Sequence, residues 1–549
     1  MALLRLAALP RLVPVPVALV VAALLVATVL VGATSALSAD AAPVAGSPAG
    51  LAPPAAADAP DTPIPAAESA DGDHGAEGGD GHGGDGHGEG GHGGAPHLDG
   101  AELGLVWIVP FVGVLLSIAV MPLVLPNFWH HHFGKVVAFW AVAFLAPFAV
   151  LHGWNLALYE LLHVGLLEYI PFIILLGSLF IVAGGVRVTG APEGTPLVNT
   201  GILLIGTMIA SWMGTTGAAM LLIRPLLAAN ENRRFKVHSV VFFIFLVANI
   251  GGSLTPLGDP PLFLGFLKGV NFFWPTVHMF GPMLLLSLAL LAIYFVLDTV
   301  LYTREGGLGR SDSSTAATEK FGVEGTINVL LLGGIVGGVL LSGIWRPGIS
   351  VVIYHVPVEI QNVARDLILI GMALLSLRLT RTESRRRNGF SWFPIVEVAK
   401  LFAAIFVTLI PAIAILRAGT DGALGVVVSL VGQNGRPVEP MYFWLTGFLS
   451  SFLDNALTYL VFFNTAGGDP VELMGSLQRT LLAISAGAVF FGAVTYIGNA
   501  PNFMVRSIAQ ERGVPMPGFF AYMGWSIVFL VPLFAVITWI FFTGPAPIP

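Results

Sequence analysis

Long apolar stretches separated by short polar loops make up most of the chain from residue 104 onward. Ten of them approach the roughly 20 residues that a helix needs to cross a bilayer. They lie near 104–124, 136–153, 170–187, 238–258, 275–303, 325–345, 363–380, 392–416, 480–499 and 518–543. This pattern predicts an all-α polytopic membrane protein.

Two further apolar regions, 198–229 and 441–464, are interrupted in the middle by small or polar residues. The first contains Gly214-Thr215-Thr216-Gly217, and the second contains Asp454-Asn455. Polar backbone at membrane depth is tolerated only where it faces protein or water. Both regions are therefore predicted to be re-entrant hairpins rather than spans.

The order of these elements occurs twice along the chain. Three spans, a hairpin and two spans occupy residues 104–303, and the same order returns in residues 325–545 after a cytoplasmic linker at 304–324. Five crossings reverse the side on which the second copy starts. The two copies are therefore predicted to be inverted repeats, an arrangement found in many secondary transporters.

Each repeat also contains a span that ends in helix breakers, at 238–261 in the first and at 480–502 in the second. Three residues of the first broken span match three of the second: Thr255, Gly258 and Pro261 against Thr495, Gly498 and Pro501. Paired segments interrupted by glycine and proline in two inverted halves are the best sequence indication of a transporter's binding site.

Basic residues are distributed unequally between the predicted loops. With the segment after residue 41 placed outside, the inner loops contain 15 Lys and Arg residues and the outer loops contain 6. Because loops rich in Lys and Arg stay on the cytoplasmic side, this asymmetry supports the topology. It predicts a bacterial-type inner (plasma) membrane protein with residues 42–103 and the C-terminus outside the cytoplasm.

The N-terminal segment has a different composition from the rest. Residues 1–41 combine a basic start with a long apolar stretch, which fits either a signal peptide or a first transmembrane span. Residues 42–103 are acidic and rich in Gly and His, so they are predicted to be disordered. Four regularly spaced histidines could chelate a metal ion weakly, with a solvated linker as the alternative: His82, His87, His92 and His97.

The composition excludes several classes of function. Only 10% of the 549 residues are charged and 55% are apolar, whereas soluble proteins carry roughly 25% charged residues. The absence of cysteine excludes a disulfide framework and a cysteine nucleophile. No nucleic-acid footprint and no nucleophile–base pair is evident, so the sequence favours a transporter over an enzyme and predicts no cofactor.

Two acids stand at the predicted helix breaks, Asp259 in the first half and Asp454 in the second. Carboxylates within a membrane are costly and usually functional, although either acid could instead be a helix N-cap. Neighbouring oxygens would complete a shell suited to Na⁺ or Li⁺, supplied by Asn455, Asn499, Thr215, Thr216, Thr255, Thr495 and the breaks at Gly258 and Gly498. Two carboxylates attract a cation and repel an anion.

The Gly251–Pro261 run, the Asp454-Asn455 hairpin and the Thr495–Asn502 run resemble the ion-transporter superfamily, which holds divalent-anion symporters, arsenite permeases and D-type (NhaD family) sodium/proton antiporters. The stretch from Gly214 to Pro225 is most similar to the D-type antiporters. The resemblance implies a scaffold part and a transport part, a homodimer and an elevator-type shift. The anion symporters carry Ser-Asn-Thr at both hairpin tips, and this chain does not.

From these observations the sequence predicts a secondary active transporter that exchanges cytoplasmic Na⁺ or Li⁺ for external H⁺. Asp259 and Asp454 would be the cation and proton carriers. The expected partners are the lipid bilayer, small inorganic cations and a second copy of the chain. The alternatives are an organic-anion (di- or tricarboxylate) symporter or arsenite permease of the same fold, and a metal-binding module built on the histidine tract.

Overall fold

The computed structural model describes residues 96, 98–190, 193–306, 322–433 and 436–544. The predicted signal peptide or first span lies outside the described residues. So do the four candidate metal-binding histidines, which are His82, His87, His92 and His97.

Ten helical segments in the described residues are long and apolar enough to cross a membrane. They are Leu105–Pro122, Asn127–His152, Trp154–Ala183, Pro196–Met213, Val237–Leu254, Trp274–Arg304, Ile327–Ile344, Ile360–Leu379, Phe393–Arg417 and Phe519–Phe542. Nine of them overlap predicted spans, and the prediction of an all-α polytopic membrane protein is confirmed.

The tenth segment lies where the sequence predicts a hairpin. Pro196–Met213 falls in the predicted hairpin at 198–229, yet it is long and apolar enough to cross a membrane. The span predicted at 480–499 instead contains a shorter apolar helix, Gln478–Phe491, because the chain breaks before it reaches spanning length.

The helices in the described part of the first half begin and end as follows. They are α1 (Val109–Val124), α2 (Pro126–His152), α3 (Trp154–Val164), α4 (Ile170–Ala183), α5 (Pro196–Met213), α6 (Thr215–Ala229), α7 (Val237–Leu246), α8 (Pro260–Leu267) and α9 (Trp274–Arg304). A 3₁₀ turn at Leu105–Ile108 precedes α1, a π turn at Gly165–Tyr169 joins α3 to α4, and a second 3₁₀ turn at Ile250–Leu254 follows α7.

The helices of the second half repeat part of this order. They are α10 (Ile327–Ile344), α11 (Ile360–Leu379), α12 (Thr382–Arg387), α13 (Phe393–Arg417), α14 (Gly425–Val431), α15 (Glu439–Phe452), α16 (Asn455–Thr465), α17 (Pro470–Met474), α18 (Gln478–Phe491), α19 (Ala500–Glu511), α20 (Phe519–Phe529) and α21 (Val531–Ile537). A 3₁₀ turn at Gly419–Asp421 follows α13, and a π turn at Thr538–Phe542 follows α21.

Three short antiparallel ladders of two strands each lie in the connections between helices. They pair β1 (Arg187–Thr189) with β2 (Gly322–Glu324), β3 (Ser350–Ile353) with β4 (Val356–Glu359), and β5 (Gly432–Gln433) with β6 (Arg436–Pro437). In the first ladder Val188 lies opposite Val323, so the end of α4 is tied to the start of α10. The β3–β4 turn places Tyr354 and His355 at positive φ, as a tight two-residue hairpin requires.

The helices form two packed groups. In one, α1 and α2 pack on α13, and α4 packs on α10, α11 and α13. In the other, the two helix hairpins α5–α6 and α15–α16 pack around α7, α8, α9, α18 and α19. The two halves of the chain interleave in this second group, because α8 packs on α16 and α19 packs on α6.

The helix α7 and the turn after it form the centre of the second group. Of the segment Val237–Leu254, 89% is buried in the protein, against 22% of Leu105–Pro122 and 17% of Asn127–His152. A helix that is apolar all round and buried on every side belongs to a protein core, whereas α1 and α2 expose apolar faces suited to lipid. The chain therefore breaks at Ile250–Leu254 deep inside the protein.

Candidate functional site

Four helices begin around one small cavity. They are α6, α8, α16 and α19, and the residues that precede them are Gly214, Asp259, Asp454 and Asn499. All four of these N-cap residues line the cavity, which has a volume of about 110 Å³. The start of a helix carries the positive end of the helix dipole. The cavity therefore lies where negative charge is favoured.

The sequence produces these four starts by two different means. The tips of the two hairpins separate α5 from α6 at Gly214 and α15 from α16 at Asp454. Gly214 has a φ of +80°, a conformation that glycine adopts without steric cost. In the two broken spans, α8 and α19 begin with a proline at one of their first positions, which fits a helix start and excludes a helix interior.

Asp259 joins several elements of the site through its carboxylate. The residue is 1% exposed, and its carboxylate does not cap its own helix. The next two residues, Pro260 and Pro261, lack an N–H, and the N–H of Leu262 bonds to the Asp259 carbonyl. The carboxylate instead accepts hydrogen bonds from side chains of three other elements. The donors are Thr215 Oγ1 at 3.2 Å, Asn455 Nδ2 at 2.6 Å and Asn499 Nδ2 at 3.0 Å.

These three bonds join both hairpin tips and both broken spans at one carboxylate. Thr215 is the first residue of α6 and Asn455 the first residue of α16, so each hairpin contributes the residue after its break. Asn499 is the N-cap of α19. Four of the predicted site residues therefore lie in direct contact, although they are far apart in the sequence.

Asp454 has a different environment. Its Oδ1 accepts a hydrogen bond from the backbone N–H of Ala456 at 2.9 Å, so the carboxylate caps α16. The side chain is partly buried and lines the same cavity as Asp259. Thr216, one residue into α6, is also partly buried and lines this cavity.

Thr255 and Thr495 lie behind the cavity wall rather than on it. The Thr255 hydroxyl donates to the carbonyl of Ser211, and the Thr495 hydroxyl donates to the carbonyl of Ser451. Each hydroxyl also accepts a backbone N–H of its own break, from Leu257 and from Ile497, at 3.2 Å in both cases. Both threonines thus hold a broken span against the neighbouring hairpin.

The two glycines of the breaks allow close approach of backbone to backbone. A Cβ at Gly258 would lie 2.1 Å from the carbonyl oxygen of Gly252, and a Cβ at Gly498 would lie 2.8 Å from those of Gly492 and Ser450. The Gly258 carbonyl itself accepts the backbone N–H of Thr215 at 2.9 Å.

Corresponding contacts recur in the two halves with a constant separation in sequence. The hydroxyl-to-carbonyl bonds from Thr255 to Ser211 and from Thr495 to Ser451 each span 44 residues. Thr255 and Thr495 are 240 residues apart, and so are Asp259 and Asn499, which are both N-caps in extended conformation. These shared contacts fit the predicted repeat, while its inversion across the membrane remains a prediction.

The site residues predicted from the sequence did not include two buried asparagines, Asn249 and Asn502. Asn249 Nδ2 donates to Asn502 Oδ1 at 2.7 Å, and Asn499 Nδ2 reaches Asn249 Oδ1 at 3.2 Å. Both Asn249 and Asn502 are fully buried. Asn249 lies in the apolar run that follows α7. Its position could have indicated a site residue, because a buried amide needs hydrogen-bond partners. The Oδ1 of Asn455, next to Asp259, is buried and has no hydrogen-bond partner among the described residues.

Comparison with known proteins identifies the chain as a transporter. Residues 100–542, more than half of the chain, match the family model CitMHS_2, whose description is "Putative citrate transport". Two curated relatives are uncharacterized transporters of Mycobacterium bovis and Mycobacterium tuberculosis. Each is 24% identical over 366 residues, which cover 63% of this chain and 79% of the relative.

The prediction of sodium/proton exchange is wrong, because the family that the chain matches is a citrate-transport family. The sequence prediction considered the two carboxylates without the groups around them. Three neutral side chains donate hydrogen bonds to Asp259, Asp454 caps α16, and the hydroxyls of Thr255 and Thr495 are bonded to backbone groups. Four helix starts at the cavity favour an anion, as in transporters whose half-helix N-termini face anionic substrate groups.

The resemblance to ion transporters is confirmed at the level of a membrane transporter, and its finer assignment to the D-type antiporters is not. The prediction that the chain is a transporter rather than an enzyme is also confirmed. The chain belongs to the citrate-transport family whose model it matches.

Proposed function

We propose that this protein is a secondary transporter of a small di- or tricarboxylate anion of the citrate type. The observation that carries this proposal is the family match over residues 100–542. The site supports it, because the helices α6, α8, α16 and α19 all begin at one cavity. The positive ends of these four helix dipoles favour a carboxylate in the cavity.

The two acids of the cavity require that the substrate travels with a positive charge. At a separation of about 4 Å, a substrate carboxylate and Asp259 would repel by about 4 kcal/mol at an effective dielectric constant of about 20. A proton or Na⁺ bound at Asp259 removes this repulsion. The unpartnered Oδ1 of Asn455 lies beside that carboxylate and offers a further oxygen to a cation. We therefore propose cation-coupled symport, with H⁺ or Na⁺ as the second transported ion.

The proposal also covers the membrane location, the oligomeric state and the transport movement of the protein. The chain is a multi-pass membrane protein, and we propose that it lies in the plasma membrane as an elevator-type homodimer. In this arrangement the second packed group, which contains Asp259, moves against the group formed by α1, α2, α4, α10, α11 and α13. The contacts between the groups run from α4 to α6 and from α13 to α16.

Uptake of labelled citrate by proteoliposomes tests the proposal. Uptake is measured under an inward Na⁺ gradient, an inward H⁺ gradient and no gradient, with choline chloride replacing the cation. We expect accumulation under at least one cation gradient. Asp259→Asn should lower uptake about 10- to 100-fold, the effect of about 1.5–3 kcal/mol for a buried charged hydrogen-bond group.

The matched control is Asp421→Asn, which makes the same chemical change at an exposed residue. It should retain the uptake rate of the unmodified protein. Absence of citrate uptake under every gradient, or full uptake by Asp259→Asn, would contradict the proposal. Uptake that is equal with and without a cation gradient would contradict its coupling.

A further inference from the structure

A second and larger cavity lies away from the four helix starts. It has a volume of about 760 Å³, within the range of about 300–1,000 Å³ that is typical of ligand pockets. Its walls come from the turn between α8 and α9, the segment from the end of α10 to β3, and the first turns of α11. The charge distribution assigns this end of the molecule to the outer side, where Arg346 and Arg365 are located.

One wall of this outer cavity contains a buried guanidinium group with unused donors. Arg365 is 1% exposed, and its Nε donates to Asp366 Oδ1 at 2.8 Å while its Nη1 donates to Asn362 Oδ1 at 3.1 Å. Its Nη2 is buried and has no partner among the described residues. Leaving a buried charged donor unpaired is unfavourable. An acceptor from outside the chain would complete this group.

The acids near Arg365 are already engaged. Asp366 accepts from Arg365 itself, and Glu359 Oε2 accepts from Gln361 Nε2 at 2.7 Å and from Asn362 Nδ2 at 3.3 Å. These contacts hold the polar side chains of the first turn of α11 in place. They leave the Nη2 face of Arg365 for a different acceptor.

A second arginine lines the same cavity. Arg346 is exposed and has no ion-pair partner among the described residues. The start of α11, a helix of 20 residues, opens toward the same space and adds the positive end of its dipole. Two guanidinium groups in one cavity suit a ligand with two or more carboxylates, since guanidinium binds carboxylate with paired hydrogen bonds.

We propose that the outer cavity is a second, peripheral carboxylate site, in which Arg346 and Arg365 capture the organic anion before it reaches the cavity at Asp259. This inference rests on the proposed function for the identity of the anion. It assigns to the two arginines a binding role on one side of the membrane, and it does not require them for translocation itself. Electrostatic capture of this kind raises the rate of association.

The transport experiment separates capture from translocation. Arg346→Gln and Arg365→Lys should raise the KM for external citrate about 3- to 10-fold and leave the maximal rate within about twofold, as expected for loss of a steering charge. Arg304→Gln, an exposed arginine at the end of α9, is the matched control and should change neither. An unchanged KM in both variants, with citrate uptake intact, would overturn the capture site while the proposed function stands.

A binding experiment decides the site independently of transport. Calorimetric titration of citrate into purified Asp259→Asn should retain a weak binding event, and Asp259→Asn combined with Arg346→Gln should lose most of it. The absence of any binding in the single variant would overturn the proposal, even if no citrate transport were found.

The titration is carried out in nanodiscs of phosphatidylcholine and again in nanodiscs that contain phosphatidylglycerol. Citrate binding in the neutral nanodiscs supports a soluble carboxylate as the ligand. An effect of Arg346→Gln that appears only with the anionic lipid would show that the cavity holds a lipid phosphate, and this would also overturn the proposal.

Discussion

The amide of Asn455 donates a hydrogen bond of 2.6 Å to the carboxylate of Asp259, although 196 residues separate them. This bond connects the tip of the second helix hairpin to the break of the first broken span. Both residues are buried, at 0% and 1% exposure. The two halves of the chain therefore share one site, and neither half can form it alone.

Replacement of Asn455 should damage transport more than stability. Asn455→Ala removes the donor of the shortest hydrogen bond to Asp259, and it removes the unpartnered Oδ1 of Asn455 as well. We expect a fall in citrate uptake of about 10-fold or more, since hydrogen bonds to charged groups contribute about 1.5–3 kcal/mol. The control is Asn127→Ala, at an exposed position of α2. Equal uptake rates for the two variants would show that the bond has no part in transport.

Replacement of Asp454 should affect transport less than replacement of Asp259. Asp454 caps α16 through the N–H of Ala456, and serine is as good an N-cap as aspartate, whereas alanine costs about 0.5–2 kcal/mol. Asp454→Ser should therefore keep the thermal stability and most of the citrate uptake, and Asp454→Ala should lower the unfolding temperature. Loss of uptake in a stable Asp454→Ser protein would instead assign the charge itself to transport.

The threonines behind the cavity should respond alike in both halves. Thr255→Val and Thr495→Val each leave a buried carbonyl without its donor, that of Ser211 or that of Ser451, at a cost of about 1–3 kcal/mol. Both should lower the unfolding temperature in detergent by similar amounts. Serine at either position keeps the hydroxyl and should restore stability. A large effect in one half alone would contradict the equivalence of the two breaks.

Another prediction concerns a buried ionic cluster at the end of α9. Asp298 lies 2.7 Å from Arg233 Nη1 and 2.8 Å from His238 Nε2, and the side chains of Asp298 and Arg233 are completely buried. Asp298→Asn removes one of the two carboxylates that pair with Arg233 and leaves Glu305, 3.1 Å from the Nε. Removal of a partner from a buried ion pair is destabilising, by up to about 3–5 kcal/mol. We expect a strong loss of thermal stability, with the KM for citrate unchanged in the protein that remains folded.

The matched control for this cluster is an exposed ion pair. Glu383→Gln removes a partner of Arg386 and Arg387 on the surface of α12, where all three side chains are at least half exposed. Its unfolding temperature should not change, because exposed pairs contribute little. If Asp298→Asn were as stable as Glu383→Gln, the cluster would not hold the start of α7 and the end of α9 together.

Hydrophobic patterning was sufficient to predict most of the fold. Nine of the ten spanning segments, both interrupted hairpins and both broken spans follow from apolar length, glycine and proline. The exception is Pro196–Met213, which is as long and apolar as a span although the sequence predicts a hairpin there. The ladder of β1 with β2 could not be predicted because its two strands are far apart in the sequence.

The sequence identified several residues of the candidate site but not the contacts that they make. The sequence placed Asp259, Asn455, Asn499 and Thr215 in one candidate set, and the structure brings them into contact. It could not show that Thr255 and Thr495 bond to backbone carbonyls, or that four helix starts meet at the cavity. These are tertiary relationships, which residue types and their spacing in the sequence do not reveal.

Organic-anion transport is tested most directly by counterflow in proteoliposomes loaded with unlabelled citrate. Labelled citrate is added outside with no ion gradient, so the result does not depend on which cation is coupled. We expect transient accumulation of the label, its loss in Asp259→Asn and its retention in Asp421→Asn. No counterflow by a folded protein, together with a Na⁺-dependent change of internal pH, would contradict organic-anion transport.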